Sequence, residues 1–223
     1  MVDFAAAIKR PFEDKKTLFI SFILAIFSFL VIPALLLLGF AAHTAKNSLD
    51  GKKGLPKWDT KNLFGYLAKA IVILLINFSY SIAGFIILGF SFGSGLLRII
   101  ENFGNTVAMS DAIIQAGLVS IIGVFFLFLG ALFAQIAVMF YLKSGKIADA
   151  FALRKVAKKV FTAKYAVSMV FSIAYFILAT LIASSSSIVT FGFGALILSP
   201  GIIFFLYQNT MFEVIAETFK EIA

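Results

Sequence analysis

Few residues in this chain could do acid–base or metal chemistry. There is one histidine, His43, and no cysteine. Without thiols there can be no disulfide, thiolate metal site or cysteine nucleophile. A single imidazole also excludes a multi-histidine metal or haem site. A membrane hydrolase needs a nucleophile with a base or a metal. His43 closes an apolar run, with no second histidine and no paired carboxylate beside it, so its ordinary reading is a polar cap. Lys69 is the one ionisable group set well inside an apolar stretch. It can snorkel to the nearby interface or serve as a counter-ion. Proton-driven transport ordinarily uses an intramembrane carboxylate or histidine, and the apolar runs supply neither. Nothing in this inventory calls for a cofactor, and the expectation is a non-enzyme.

The elements that position these residues follow from composition. The chain has 223 residues, of which 61% are hydrophobic and only 13% charged. Its mean hydropathy is +1.04. Soluble domains carry about twice that charge, so this sequence cannot coat a globule facing water on all sides. The expectation is an all-α, polytopic transmembrane helical bundle forming a single integral membrane domain over 1–223. Apolar runs place five spans near 18–42, 63–91, 112–142, 165–183 and 188–211. Pro33 should kink the first or let it dip and return. Gly89–Gly95 should interrupt the second, Ser184–Ser187 with Phe191–Gly194 should separate the last two, and Pro200 should kink the fifth. The first run is about 25 residues and too long for a cleavable signal, so it reads as a retained span. Mid-span polar groups, Asn77, Ser79, Tyr80, Ser81, Gln135, Ser168, Ser172, Tyr175 and Thr180, either line a small polar cavity or hydrogen-bond between helices. The second role is worth roughly 0.6–1 kcal/mol each.

Amphipathic segments flank the spans. Residues 2–14 place Phe4, Ala7, Ile8, Pro11 and Phe12 opposite Asp3, Lys9, Arg10, Glu13 and Asp14. An interfacial helix is expected over 147–164. There Leu153, Val156, Val160 and Phe161 separate from Arg154, Lys155, Lys158 and Lys159, the face assigned to anionic lipid. The tail 212–223 sets Glu213, Glu217 and Glu221 against Ile215, Phe219 and Ile222. The loop Leu55-Pro56-Lys57-Trp58-Asp59, with Gly65 following, reads as an interfacial motif. Pro56 stiffens it, Trp58 suits the headgroup level, and Asp59 can cap the next helix. It could instead recognise a partner. Within 112–142, Ala116, Ser120, Gly123, Gly130, Ala134 and Ala137, with Leu127 in the remaining place, alternate at spacings of four and three. That is the small-residue ridge of a left-handed helix pair.

Three blocks carry a family resemblance. Ala6 with Pro11, Phe12 and Asp14 is similar to an "A-x-x-x-x-P-F-x-D" opening. Gly51, Leu55, Pro56, Trp58 and Asp59 resemble "G-x-x-x-L-P-x-W-D", and Gly145, Ile147, Ala148, Ala150 and Phe151 resemble a third block. Together they look like an uncharacterised archaeal and bacterial membrane-protein family, domain of unknown function 4013. The layout is distantly similar to the membrane domains of some glycerophosphodiester phosphodiesterases, without their hydrolase domain. The resemblance implies a membrane fold and supplies no activity.

The formal charge of +8 lies in short loops beside apolar runs, which points to topology and anionic lipid and away from nucleic acid. The functional expectation is a non-catalytic, multi-pass cell-membrane protein: a lipid-interacting scaffold, or a subunit of a membrane partner or homo-oligomer. The alternative is a small channel or facilitator for an uncharged or lipid-like substrate, built on broken helices. The basic loops 43–62 and 143–164 should face the cytoplasm. With five full spans the basic N-terminus would then lie outside, a conflict that a re-entrant first span removes.

Overall fold

The fold was analysed in a computed structural model that describes residues 2–52, 54–189, 192 and 201–222. All regular structure among these residues is helical. Helix α1 spans Phe4–Lys9 and runs into a 3₁₀ turn at Arg10–Phe12. Helices α2 (Lys15–Ile26) and α3 (Val31–Leu49) follow. A second 3₁₀ turn, Thr60–Asn62, leads into α4 (Leu63–Glu101). Next come α5 (Thr106–Ser144), α6 (Ile147–Ala150), α7 (Leu153–Val160) and α8 (Ala163–Val189). A π-helical stretch, Gly201–Tyr207, opens directly into α9 (Gln208–Glu221). Three stretches, Thr60–Glu101, Thr106–Ser144 and Ala163–Ser185, are long and apolar enough to cross a membrane.

The run 18–42 is not one kinked helix but two helices. The break lies at 27–30, upstream of Pro33, which sits in the first turn of α3. A proline ring clashes with the carbonyl four residues earlier, here that of Phe29, and has no N–H to bond it. In the first turn of a new helix the missing N–H is one of the groups left unpaired anyway. At ~1.5 Å per residue α2 is about 18 Å long, short of a ~30 Å hydrocarbon core. Ala25, Leu36, Leu37 and Phe40 share one core, so α3 doubles back along α2.

Two further breaks are not found at Gly89–Gly95 and Ser184–Ser187, while residues 191 and 193–194, where the last two spans should also separate, lie outside the described residues. Helix α4 runs unbroken through Gly89–Gly95, and α8 runs through Ser184–Ser187. Gly costs roughly 1 kcal/mol in a helix, which packing routinely overrides. Helices α4 and α5 end instead just before Gly104 and Gly145, both at positive φ. The interfacial helix expected over 147–164 is divided by Phe151 and Ala152 into α6 and the eight-residue α7. Of the expected fifth span, residues 190–191 and 193–200 lie outside the described set, with its kink at Pro200; its end is the π-helical stretch and the start of α9.

The chain divides into two compact units. The first comprises residues 1–74 and 136–223. In it α9 lies along α3, α1 and α8. Helix α9 runs antiparallel to α8, with Tyr207 beside Tyr175, Thr218 bonded to Ser168 and Glu221 paired with Lys164. The second unit, 75–135, is the end of α4 packed on the start of α5. Large apolar side chains are exposed along both of its helices, among them Ile82, Phe90, Leu97, Ile114, Ile121 and Phe125.

Candidate functional site

The loop motif closes the α2–α3 hairpin. The Trp58 ring stacks on Phe40 at 4.3 Å and meets Tyr66 edge-on at 5.3 Å. Its Nε1–H donates to Ser21 Oγ at 2.7 Å. One side chain thus touches both arms of the hairpin, and its polar edge is bonded to Ser21. Leu55 packs on the same core, and its N–H donates to Glu13 Oε2 at 3.4 Å. Pro56 is half-buried. Asp59 accepts from the Lys61 N–H and caps the 3₁₀ turn before α4. The Tyr66 hydroxyl accepts from the Asp59 N–H. At Gly65 an added Cβ would displace the Asn62 side-chain amide, which packs over that position.

His43 and Lys69, remote in sequence, meet at this level. The Lys69 ammonium lies 3.5 Å from His43 Nδ1, and the His43 ring packs edge-on against Tyr66. Burial, helped by the cations of Lys69 and Lys52, pushes the His43 pKa down, so the imidazole is neutral near pH 7 and can accept from Lys69. Lys46 donates to the Leu142 carbonyl at 3.1 Å and lies 3.7 Å from Asp50. Among the described residues no group of three or more His, Cys, Asp or Glu is placed to hold a metal.

Helix α7 presents the basic face. Val156 and Val160 are buried, while Arg154, Lys155 and Lys158 are exposed. Beside them, Phe151, Leu153 and Phe161 are exposed as well, Phe161 at 78%. Leu153 and Phe161 therefore do not share the buried side of Val156 and Val160. Lys159 does not belong to the outward face. Its ammonium sits 4.3 Å from the centre of the Phe219 ring and donates to the Ile222 carbonyl at 3.0 Å. It anchors α9 through a cation–π contact and a helix-terminal carbonyl.

The acidic row on α9 is not uniform: Glu217 and Glu221 are partly exposed, and Glu213 is not. Glu213 is buried and paired with Arg10, which comes from the first 3₁₀ turn. Burial raises its pKa to about 7 against the opposing pull of Arg10, with Glu217 and Glu13 adding repulsion. The surrounding seam is polar: Thr44 Oγ1 bonds Asn209 Oδ1 at 3.2 Å, Thr210 Oγ1 donates to the Ala7 carbonyl, and Lys220 donates to the Ser48 carbonyl. Sequence offered no pointer to these pairings, whose partners lie 165 to 203 residues apart.

The ridge lies along α4. Ala116 faces Gly95, and its carbonyl accepts from Ser91 Oγ at 2.6 Å. Ser120 meets Ser91 at 3.0 Å. Gly123 faces Leu88, Leu127 faces Gly84, and Gly130 faces the Tyr80 backbone. Ala134 and Ala137 are fully buried. The ridge serves helix packing, and Ser91 supplies its polar contact.

These features define an all-α protein that has, among the described residues, three helices long and apolar enough to cross a membrane. The family described as "Protein of unknown function (DUF4013)" matches residues 22–198, and the chain belongs to it. The matched stretch includes the Trp58 loop and the Gly145–Phe151 block, while the opening block at Ala6–Asp14 precedes it. No curated protein and no solved structure matches the chain.

Proposed function

We propose that this chain is a non-catalytic, multi-pass cell-membrane protein that gathers anionic lipid on a basic face, as a lipid-organising scaffold or the subunit of a membrane partner. The observation that carries this reading is α7. An exposed cationic group, Arg154, Lys155 and Lys158, lies beside exposed Phe151, Leu153 and Phe161. Apolar rings favour the acyl boundary while each cation gains about 1 kcal/mol near an anionic surface.

Polar residues on the long helices support the membrane placement. From Lys69 to Arg98 along α4 there are 29 residues, and from Gln115 to Lys143 along α5 there are 28. At ~1.5 Å per residue these intervals are about 43 and 42 Å, matching a bilayer with its headgroups. Arg98 and Gln115 bond each other, so one polar level is shared. On this reading Lys69 marks the interface rather than the hydrocarbon. The hairpin and the antiparallel α8–α9 pair then leave both termini and both basic loops on the cytoplasmic side, and the conflict over the N-terminus disappears.

The test is lipid enrichment. The protein is reconstituted in nanodiscs of mixed phosphatidylglycerol and phosphatidylcholine, and the lipid it retains is quantified. Replacing Arg154, Lys155 and Lys158 together with Gln should lower phosphatidylglycerol enrichment at least fivefold. Lys159→Gln should leave enrichment unchanged and lower thermal stability. Unchanged enrichment in the triple variant would refute the role of α7.

A further inference from the structure

A cavity of about 480 Å³ lies between α2 and the π-helical stretch. Phe12, Leu18, Phe19 and Phe22 form one wall, and Gly201, Phe205 and Leu206 form the other. Among the described residues the single ionisable group lining it is Lys15, at the first residue of α2. Positions 15, 18, 19 and 22 share one helix face, so the cation heads an apolar track. The volume falls within the ~300–1,000 Å³ of small-molecule sites. At Gly201 an added Cβ would lie 2.6 Å from the Phe22 ring, so the two walls close tightly there.

The neighbouring carboxylates are engaged elsewhere. Asp14 caps α2 through the Thr17 N–H at 3.1 Å and accepts from Thr17 Oγ1, which holds its carboxyl below the usual range. Glu13 accepts from the Leu55 N–H and faces Arg10 at 4.0 Å. The Lys15 ammonium heads the groove beside two acids that already serve other donors. An apolar track with one cation at its head complements an amphiphile with one anionic group and a hydrocarbon tail.

We propose that this groove holds one anionic phospholipid, with an acyl chain along Leu18, Phe19, Phe22, Phe205 and Leu206 and its phosphate at Lys15. The site rests on the membrane reading above but not on α7, since it shares no residue with that helix. It makes one stoichiometric lipid a structural part of the hairpin, where α7 acts on the lipid population around it. The ammonium selects the charge of the headgroup, and the apolar walls hold the chain.

Native mass spectrometry of the full chain in detergent tests this, with phosphatidylglycerol or phosphatidylcholine added at equal concentration. The wild type should retain one phosphatidylglycerol at least tenfold more strongly than phosphatidylcholine. Lys15→Glu, at an exposed position, should abolish that preference. Because the chain has no cysteine, Leu18→Cys provides a single thiol. Alkylating it with a benzyl maleimide after folding fills the groove in an already folded protein. The single lipid adduct should persist before alkylation and fall at least fivefold after it. The triple α7 variant should keep the adduct. Equal binding of both lipids by the wild type, or an adduct indifferent to both Lys15→Glu and alkylation, would overturn the site. Loss of the adduct only in the α7 variant would also overturn it, while leaving the function proposed for α7 standing.

Discussion

The helix pair in residues 75–135 and the seam of α1, α3 and α9 are held by different means. In the pair, contact is made by what is missing from side chains: Gly84, Gly95, Gly123 and Gly130 let one helix reach the other, and Ser91 adds a local polar contact. In the seam, contact is made by polar groups meeting across long sequence separations: Arg10 with Glu213, Thr44 with Asn209, Lys220 with the Ser48 carbonyl. Small-residue packing is repetitive and tolerant of polarity around it. A buried polar seam is specific, and each unmet partner costs about 1–3 kcal/mol. Substitutions should therefore act through volume in the first region and through pairing and pH in the second.

The largest effect should come from the one place in the first unit where the logic of the pair is borrowed. At Gly39 an added Cβ would lie 2.1 Å from the Tyr66 carbonyl oxygen, a backbone atom that cannot rotate away. Gly39→Ala should cost about 3 kcal/mol or more and sharply lower the melting temperature in detergent. Gly130→Ala comes next, since its Cβ would meet the Tyr80 carbonyl at 2.5 Å, and a loss of about 1–3 kcal/mol is expected. Gly123→Ala meets the Leu88 side chain at 2.8 Å, which can turn aside, and the Leu88 backbone nitrogen only at 3.2 Å, so it should cost less than the change at Gly130, about 1 kcal/mol. Equal melting temperatures for the alanine variants at 123 and 130 would show that backbone proximity does not govern the pair.

Pairing should dominate elsewhere. Trp58→Phe keeps a ring for Phe40 but removes the donor to Ser21, at a cost of about 1 kcal/mol. Ser21→Ala in that background should then add little, and an additive loss would disprove the bond. The last effect is read as a pH slope. Glu213 has a folded pKa of about 7, above its ordinary 4.5, so folding favours its protonated form. The stability this contributes is complete below 4.5 and lost as pH rises through 7. Against Glu213→Gln, the wild type should lose relative stability between pH 5 and 8. A flat difference across that range would mean that Arg10 keeps the carboxylate ionised throughout.

This contrast also explains what the sequence could reveal. The ridge at Ala116, Ser120, Gly123 and Gly130 was legible because its spacing is local and its partner is the preceding helix. The Trp58 loop stood out by composition, yet its seat on Ser21 and Phe40 did not, because that contact depends on a hairpin. Pro33 pointed to the hairpin, but the break falls upstream, where the proline ring would meet the Phe29 carbonyl. Gly89–Gly95 misled because glycine weakens a helix without ending it. Periodicity puts Glu213 on one side with Glu217 and Glu221 but says nothing about Arg10, about two hundred residues away, which pairs with Glu213 alone. Helical periodicity puts Lys159 on the side of Arg154, Lys155 and Lys158, but Phe219 draws its ammonium inward.

The central claim is that both termini and both basic loops share the cytoplasmic side, with the chain returning at the α2–α3 hairpin. The absence of native cysteine allows a direct test. Single cysteines are placed at Val2, Lys52, Gly104 and Lys155, and intact cells are treated with a membrane-impermeant thiol reagent before and after lysis. Gly104 should label in intact cells, and the other three only after lysis. Labelling of Val2 in intact cells, with Lys52 protected, would show a full first span and contradict the hairpin topology.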